Sequence, residues 1–167
     1  NKQQLKPLLY SSRDEDPYDN LKGIALLALF PEYLTAEELF SLLTSPHREH
    51  HIGFYQRFLS EKYVVEPLKP NDLPVALDWV TNRPSRHEEN YHFRDLIDSI
   101  ILKAWNNLDY PGVFAPFVQA IVSRIIHHDA IIGDATGVIE LHKPREANGF
   151  ALILRDAIER RHRIVEH

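Results

Sequence analysis

Residues 95–127 read DLIDSIILKAWNNLDYPGVFAPFVQAIVSRIIH, and the spacing of their apolar side chains decides the fold. The first half carries Leu96, Ile97, Ile100, Ile101, Ala104, Trp105 and Leu108. The second carries Val113, Phe114, Phe117, Val118, Ile121, Val122, Ile125 and Ile126. Both sets recur at i, i+3, i+4 and i+7, the spacing that gathers apolar groups on one face of a helix. Tyr110-Pro111-Gly112 breaks the run. The stretch is therefore expected to be an antiparallel helix pair whose shared face buries against other elements.

Working outward, the same pattern recurs. Leu21 to Phe30 reads as a buried helix (Leu21, Ile24, Ala25, Leu27, Ala28) with Asp19 or Asn20 as cap, closed by Pro31. Thr35-Ala36-Glu37-Glu38 is a capping-box pattern opening a helix with Leu39, Leu42 and Leu43. Ile52, Tyr55, Phe58 and Leu59 share one face of a third helix, and Tyr63-Val64-Val65 reads as a short extended piece. Asn71 or Asp72 can cap a helix holding Leu73, Ala76, Leu77 and Val80, with Pro74 tolerated in its first turn and Trp79 beside the stripe. Residues 128–145 lose helical periodicity, and 146–165 read as a last helix with a basic end.

The fold class expected is all-α, a multi-helix bundle or a short stacked array of helix pairs, with a winged-helix-like N-terminal part. Residues 1–17 read as a linker or an incomplete first helix. Residues 18–82 form an N-terminal helical subdomain, and 83–167 a C-terminal one built on the 95–127 pair. The polar run from Asn82 to Asn90 is the expected boundary.

A chain of 167 residues with 44% hydrophobic and 26% charged residues can bury a sizeable core. Its net charge of −5 argues against a general nucleic-acid binder, which needs a basic surface. No apolar run reaches the roughly 18 residues that span a bilayer. The absence of cysteine excludes disulfides and thiolate metal sites. A cytoplasmic location fits these features. Because it opens on Asn1, the chain is expected to be a fragment of a longer one or to lack disordered leading residues, and its lack of methionine suggests that methionines were replaced or left out.

Sites of chemistry are sparse. No phosphate-binding glycine loop and no Gly-x-Ser-x-Gly setting occurs. His50-His51 and His127-His128-Asp129 are adjacent residues, which on a helix point about 100° apart and chelate poorly together. They read as a loop-to-helix junction and as a pair complementing a helix C-terminus. Asp95/Asp98 and Glu37/Glu38 read as solvated helix surface. No metal or cofactor is therefore expected. Most aromatic residues fall at core spacing, but Phe54 and Phe93 lie beside the stripes. With the basic Arg160, Arg161 and Arg163, they are candidates for an interaction surface.

An arginine followed six residues later by histidine occurs as Arg86…His92 and Arg161…His167. This spacing resembles the Arg-x(4–6)-His pattern of HEPN-type helical ribonucleases, which implies these four residues as catalytic candidates in an alternative reading. A DNA-reading winged helix over residues 18–66 would need a basic recognition helix, yet 36–43 carries Glu37 and Glu38.

LKGIALLALFPEYLTAEELFSLL (21–43) resembles the helical or winged-helix segment that follows the nucleotide-binding core of STAND NTPases. HIGFYQRFLS (51–60), DLPVALDWV (72–80), LIDSIILKAWNNLDYPGVFAPF (96–117) and ILRDAIERRHRIVE (153–166) are similar to the helical region downstream of the NACHT module in bacterial multidomain proteins. The resemblance implies a non-catalytic scaffold, relay or sensor within a larger signalling NTPase. Its partners would be other domains of the parent chain or other proteins, with self-association open. Walker motifs are absent from the chain, so ATP hydrolysis does not carry over.

Overall fold

The computed structural model describes residues 1–48, 52–83 and 91–128, without the side chains of 91, 92 and 125–128. Every element within them is helical, as the periodicity predicts. Seven α-helices follow one another: α1 (Asn20–Leu29), α2 (Ala36–Leu42), α3 (Phe54–Phe58), α4 (Glu61–Val64), α5 (Leu73–Thr81), α6 (Tyr91–Trp105) and α7 (Phe114–His128). Two 3-10 segments, Lys2–Tyr10 and Pro70–Asp72, complete the described elements. No strand occurs among the described residues. The helix expected over 146–165 and the irregular stretch after 128 lie outside them.

The chain divides into two units, Asn1–Leu68 with Asn90–Leu96, and Lys69–Glu89 with Ile97–His167. This departs from a boundary at 82/83. The reason is α5, which packs along α7 and so groups with the second unit.

In the first unit, the segment expected as a linker or an incomplete first helix holds a 3-10 helix that packs on α1 and buries Leu9. α1 also packs on α3, and Phe30 meets Phe58 edge-on at a centroid distance of 6.4 Å. Gly23 permits that approach: a Cβ at this position would overlap the backbone of Phe54 and Tyr55. The buried face of α1 is Lys22, Gly23, Ala25, Leu26 and Leu29. Leu21 and Ile24, expected in the core, are 37% and 39% exposed. The helix is apolar nearly all round, so periodicity alone does not select its buried side.

The winged-helix expectation fails at Tyr63-Val64-Val65. These residues belong to a helical turn, with the Val65 amide donating to the Glu61 carbonyl at 2.8 Å. Val64 and Val65 are buried there, and tertiary burial outweighs the extended preference of β-branched residues.

The capping box of α2 forms as expected. The Glu38 amide donates to Thr35 Oγ1 at 3.2 Å, and the Thr35 amide donates to Glu38 Oε2 at 2.9 Å. The Thr35 amide holds the Glu38 carboxyl below its ordinary range. Replacing Thr35→Ala is expected to cost about 1 kcal/mol in urea unfolding. A carboxyl with a lowered folded-state pKa stabilises above its ordinary pKa and loses that contribution as pH falls. That loss should be seen as a shrinking difference between wild type and Glu38→Gln as the pH falls, while the Thr35→Ala difference, which leaves the amide donor in place, should change little.

In the second unit, α6 and α7 form the expected antiparallel pair. Trp105 and Phe117, both near the connecting turn, stand 5.9 Å apart, while Asp98 and Arg124 meet further from it. The turn contains Gly112 at φ +88°, a backbone state that favours glycine. Leu96, Ile97, Ile100, Ile101, Ala104 and Leu108 of this stretch are fully buried. α5 buries Leu73, Ala76, Leu77 and Val80 as predicted, and the Ser123 hydroxyl donates to the Thr81 carbonyl at 3.1 Å.

The buried stripe of α7 holds one residue that an apolar pattern does not foresee. Arg124 is 1% exposed, and its Nη2 lies 3.6 Å from Asp98 Oδ1. Asp98, its side chain 13% exposed, is thus a half-buried ion-pair partner and not part of a solvated surface.

Candidate functional site

Of the candidate surface residues, Phe54 is 44% exposed at the start of α3. Phe93 is fully buried and cannot form part of a surface. It sits three and four residues before Leu96 and Ile97, and so extends their buried stripe by one turn. Arg86, Arg160, Arg161, Arg163 and His167 lie outside the described residues, as does the side chain of His92. No arrangement of the two Arg/His pairs is therefore described. His50-His51 lies outside as well; α7 runs to His128, where a helix end is expected.

Two features of the first unit converge on α1. The first is apolar. Phe54 joins α1 because its amide donates to Asn20 Oδ1 at 3.2 Å and because Gly23 admits the α3 backbone. Ile24 lies one turn beyond Asn20, and Leu21 lies three residues before Ile24. Ile52, expected in the core, is 89% exposed just ahead of Phe54. Leu21 and Ile24 of α1, with Ile52 and Phe54 at the start of α3, are thus four large apolar side chains exposed to water. Single exposed apolar groups are ordinary, but a group of this kind marks a contact surface.

The second feature is a polar knot beneath the N-terminus of α1. Asp19, the residue before the helix, has left-handed backbone (φ 55°) and makes no side-chain bond to the helix. The capping carboxylate is instead Asp16: it accepts from the Asn20 amide at 2.8 Å and the Lys22 amide at 3.0 Å. Asp19 turns to the loop after α2. Its Oδ2 accepts from the His47 amide at 2.6 Å, and its Oδ1 lies 3.1 Å from His47 Nδ1. Asp16 and Asp19 are 5% and 3% exposed, so their charges are compensated locally and not by water.

Lys22 runs inward from the same turn. Its ammonium donates to Thr44 Oγ1 at 2.7 Å and stands 4.4 Å from the centroid of the Tyr55 ring. The Tyr55 hydroxyl in turn donates to the Thr44 carbonyl at 2.7 Å. Burial pushes the lysine below its ordinary proton affinity, against the opposing charges of Asp19 and Asp16. The sequence signal for this knot is a lone lysine inside an apolar helix that follows closely on an acidic run. That run reads more simply as a solvated linker.

Chemically, the knot ties the N-terminal segment, α1, the 44–48 loop and α3 together. Among the described residues, no group of three His, Asp or Glu side chains could hold a metal ion. No helix among them is long and apolar enough to cross a membrane. No protein family, curated protein or solved structure matches this chain.

Proposed function

We propose that this chain is a non-catalytic helical module that acts through protein–protein or interdomain contacts, as a relay or sensor part of a larger NACHT/STAND-type NTPase. The observation that carries the contact reading is the water-accessible apolar group of Leu21, Ile24, Ile52 and Phe54 at the α1/α3 junction. The NTPase assignment rests on the resemblance of residues 21–43, 51–60, 72–80, 96–117 and 153–166 to the helical region downstream of a NACHT core. The buried polar knot supports the reading in a different way. It holds α1 and α3 in a fixed relation, so a partner seated on their exposed groups meets a preformed surface and loses less entropy on binding.

The test begins with the complete reading frame, which is expected to encode a Gly-x-x-x-x-Gly-Lys-Ser/Thr core ahead of Asn1. Cross-linking of that full chain should then join the core to residues around α1 and α3. The triple variant Leu21→Asp, Ile24→Asp, Phe54→Ser should lose those cross-links. Its thermal unfolding should change little, because exposed substitutions usually shift stability by about 0.5 kcal/mol or less each. A reading frame without such a core would remove the NTPase assignment. Cross-links that survive in the triple variant would remove the surface.

A further inference from the structure

We propose that Lys2–Tyr10 is a salt-sensitive strap, a segment that lifts from α1 and α2 as a unit while the helices beneath it stay folded. The proposal concerns a different part of the chain from the exposed apolar residues above and does not depend on them. A 3-10 helix rarely runs beyond three or four residues, because its hydrogen bonds are poorly aligned. This one runs for nine, with Pro7 inside it. It therefore gains little from its own bonds and owes its shape to what it lies on.

Its seat holds it lightly. The segment packs on α1, yet among the described residues its backbone makes no hydrogen bond to α1 or α2. The Gln4 amide donates to the Asn1 carbonyl at 3.1 Å, and the Leu8 carbonyl accepts from the Ser11 amide and hydroxyl. These bonds stay within the segment and its immediate neighbours. Leu9 is its one buried side chain, with Leu5 and Leu8 half-buried. α1 is tied quite differently, by the Asp16 carboxylate, the Asn20-to-Phe54 bond and the Lys22-to-Thr44 bond.

The remaining ties of the segment are charges in water. Lys2 Nζ lies 3.2 Å from Glu32 Oε2 and Lys6 Nζ lies 3.4 Å from Glu38 Oε1, and all four side chains are at least 41% exposed. Lys2 Nζ also stands 5.7 Å from the centroid of the Tyr33 ring. Such pairs weaken as the screening length falls from about 30 Å in 0.01 M salt to about 3 Å in 1 M salt. Release of Lys6 leaves α2 capped, because the Thr35 amide holds the other carboxylate oxygen of Glu38. Opening thus gives up one buried leucine and two screened ion pairs, and it leaves the packing of α1 on α3 in place. The covered side of α1 becomes available only when these charges are screened or outcompeted, which is a regulatory contact within the chain.

The test uses the absence of cysteine from the sequence, which makes an introduced thiol the only one. Leu9→Cys reports on the strap and Leu29→Cys on the buried face of α1. Each full-length variant is labelled while folded with uncharged 4,4′-dithiodipyridine, at salt from about 0.02 M to about 1 M. Leu9→Cys is expected to label at least roughly tenfold faster than Leu29→Cys, since a local opening costs less than a global one. Salt should raise the Leu9→Cys rate at least about twofold, the lower end of what two exposed pairs supply, and leave Leu29→Cys unchanged. Adding Lys2→Glu should speed labelling of Leu9→Cys at low salt, and adding Glu32→Lys to that variant should reverse the effect. A smaller side chain at position 9 loosens the strap by itself, so amide exchange of the unsubstituted chain is read alongside. There Leu8, Leu9 and Tyr10 should exchange faster than Leu26 and Leu29, and only the first three should respond to salt. Equal protection of the two sets would overturn the proposal, because the strap would then open only with the whole unit. Exchange of the strap that is indifferent to salt would overturn it as well, leaving a segment held by Leu9 alone.

Discussion

Gly23→Ala is expected to destabilise the chain by more than about 3 kcal/mol, with a clear drop in the urea midpoint. Local physics alone demands the opposite sign. In a helix interior, alanine is better than glycine by about 1 kcal/mol, because glycine loses more backbone freedom on folding. Position 23 lies inside α1, so an unpacked helix would gain from the change. The packing reverses this. The new methyl would overlap backbone atoms of Phe54 and Tyr55, which have no rotamer by which to yield. Overpacking costs about 1–3 kcal/mol where side chains can adjust, and more where backbone must move. Separation of α1 from α3 would also strain the Asn20-to-Phe54 bond and the Lys22–Tyr55 stacking. The sign of the measured change decides the matter: a variant more stable than wild type would refute the close approach of the two helices.

The second large effect belongs to the helix pair. Arg124→Ala is expected to cost about 3–5 kcal/mol, since it leaves the Asp98 charge in place without its nearby guanidinium. Arg124 is 1% exposed, so water cannot readily take over that role. Replacement of both partners gives a different result. The double variant Arg124→Met, Asp98→Leu removes both desolvation costs and fills a similar volume, and such swaps are often neutral or stabilising. The double variant should therefore be markedly more stable than Arg124→Ala. Equal losses in the two would show that the arginine contributes by its packing volume and not by its charge.

What the sequence conveys about this fold depends on how one-sided each element is. α5 and α6 gather most of their apolar residues on one stripe, and Leu73, Ala76, Leu77, Val80, Leu96, Ile97, Ile100, Ile101 and Ala104 are buried there. α1 is apolar almost throughout, so its apolar pattern leaves open which side faces inward. The choice falls to Gly23, whose missing side chain matters only once α3 lies against it. Val64 and Val65 mislead for a related reason, because their local preference is extended while their burial is met within a helical turn. Phe93 belongs to the same stripe as Leu96 and Ile97, one turn earlier, where Arg94 and Asp95 interrupt the apolar run. Arg124 and Asp98 could not be paired from sequence, since they lie 26 positions apart across a turn. The polar knot was hidden for the same reason: Asp16, Asp19, Lys22, Thr44, His47 and Tyr55 meet only after three segments have folded together. The capping box of α2 stands at the other extreme. Its partners are three residues apart, so the pattern is complete in the chain itself.

The cap of α1 also bears on where this chain can be cut or joined. By its apolar pattern, the helix begins at about Asp19, and a shuffled gene or a trimmed protein would naturally be divided there. The carboxylate that satisfies the first turn comes from Asp16, ahead of that point. A piece starting at Asp19 would carry the whole helix and still leave the Asn20 and Lys22 amides without their acceptor. The heritable unit is therefore longer than the helix, and its natural edge lies upstream of Asp16.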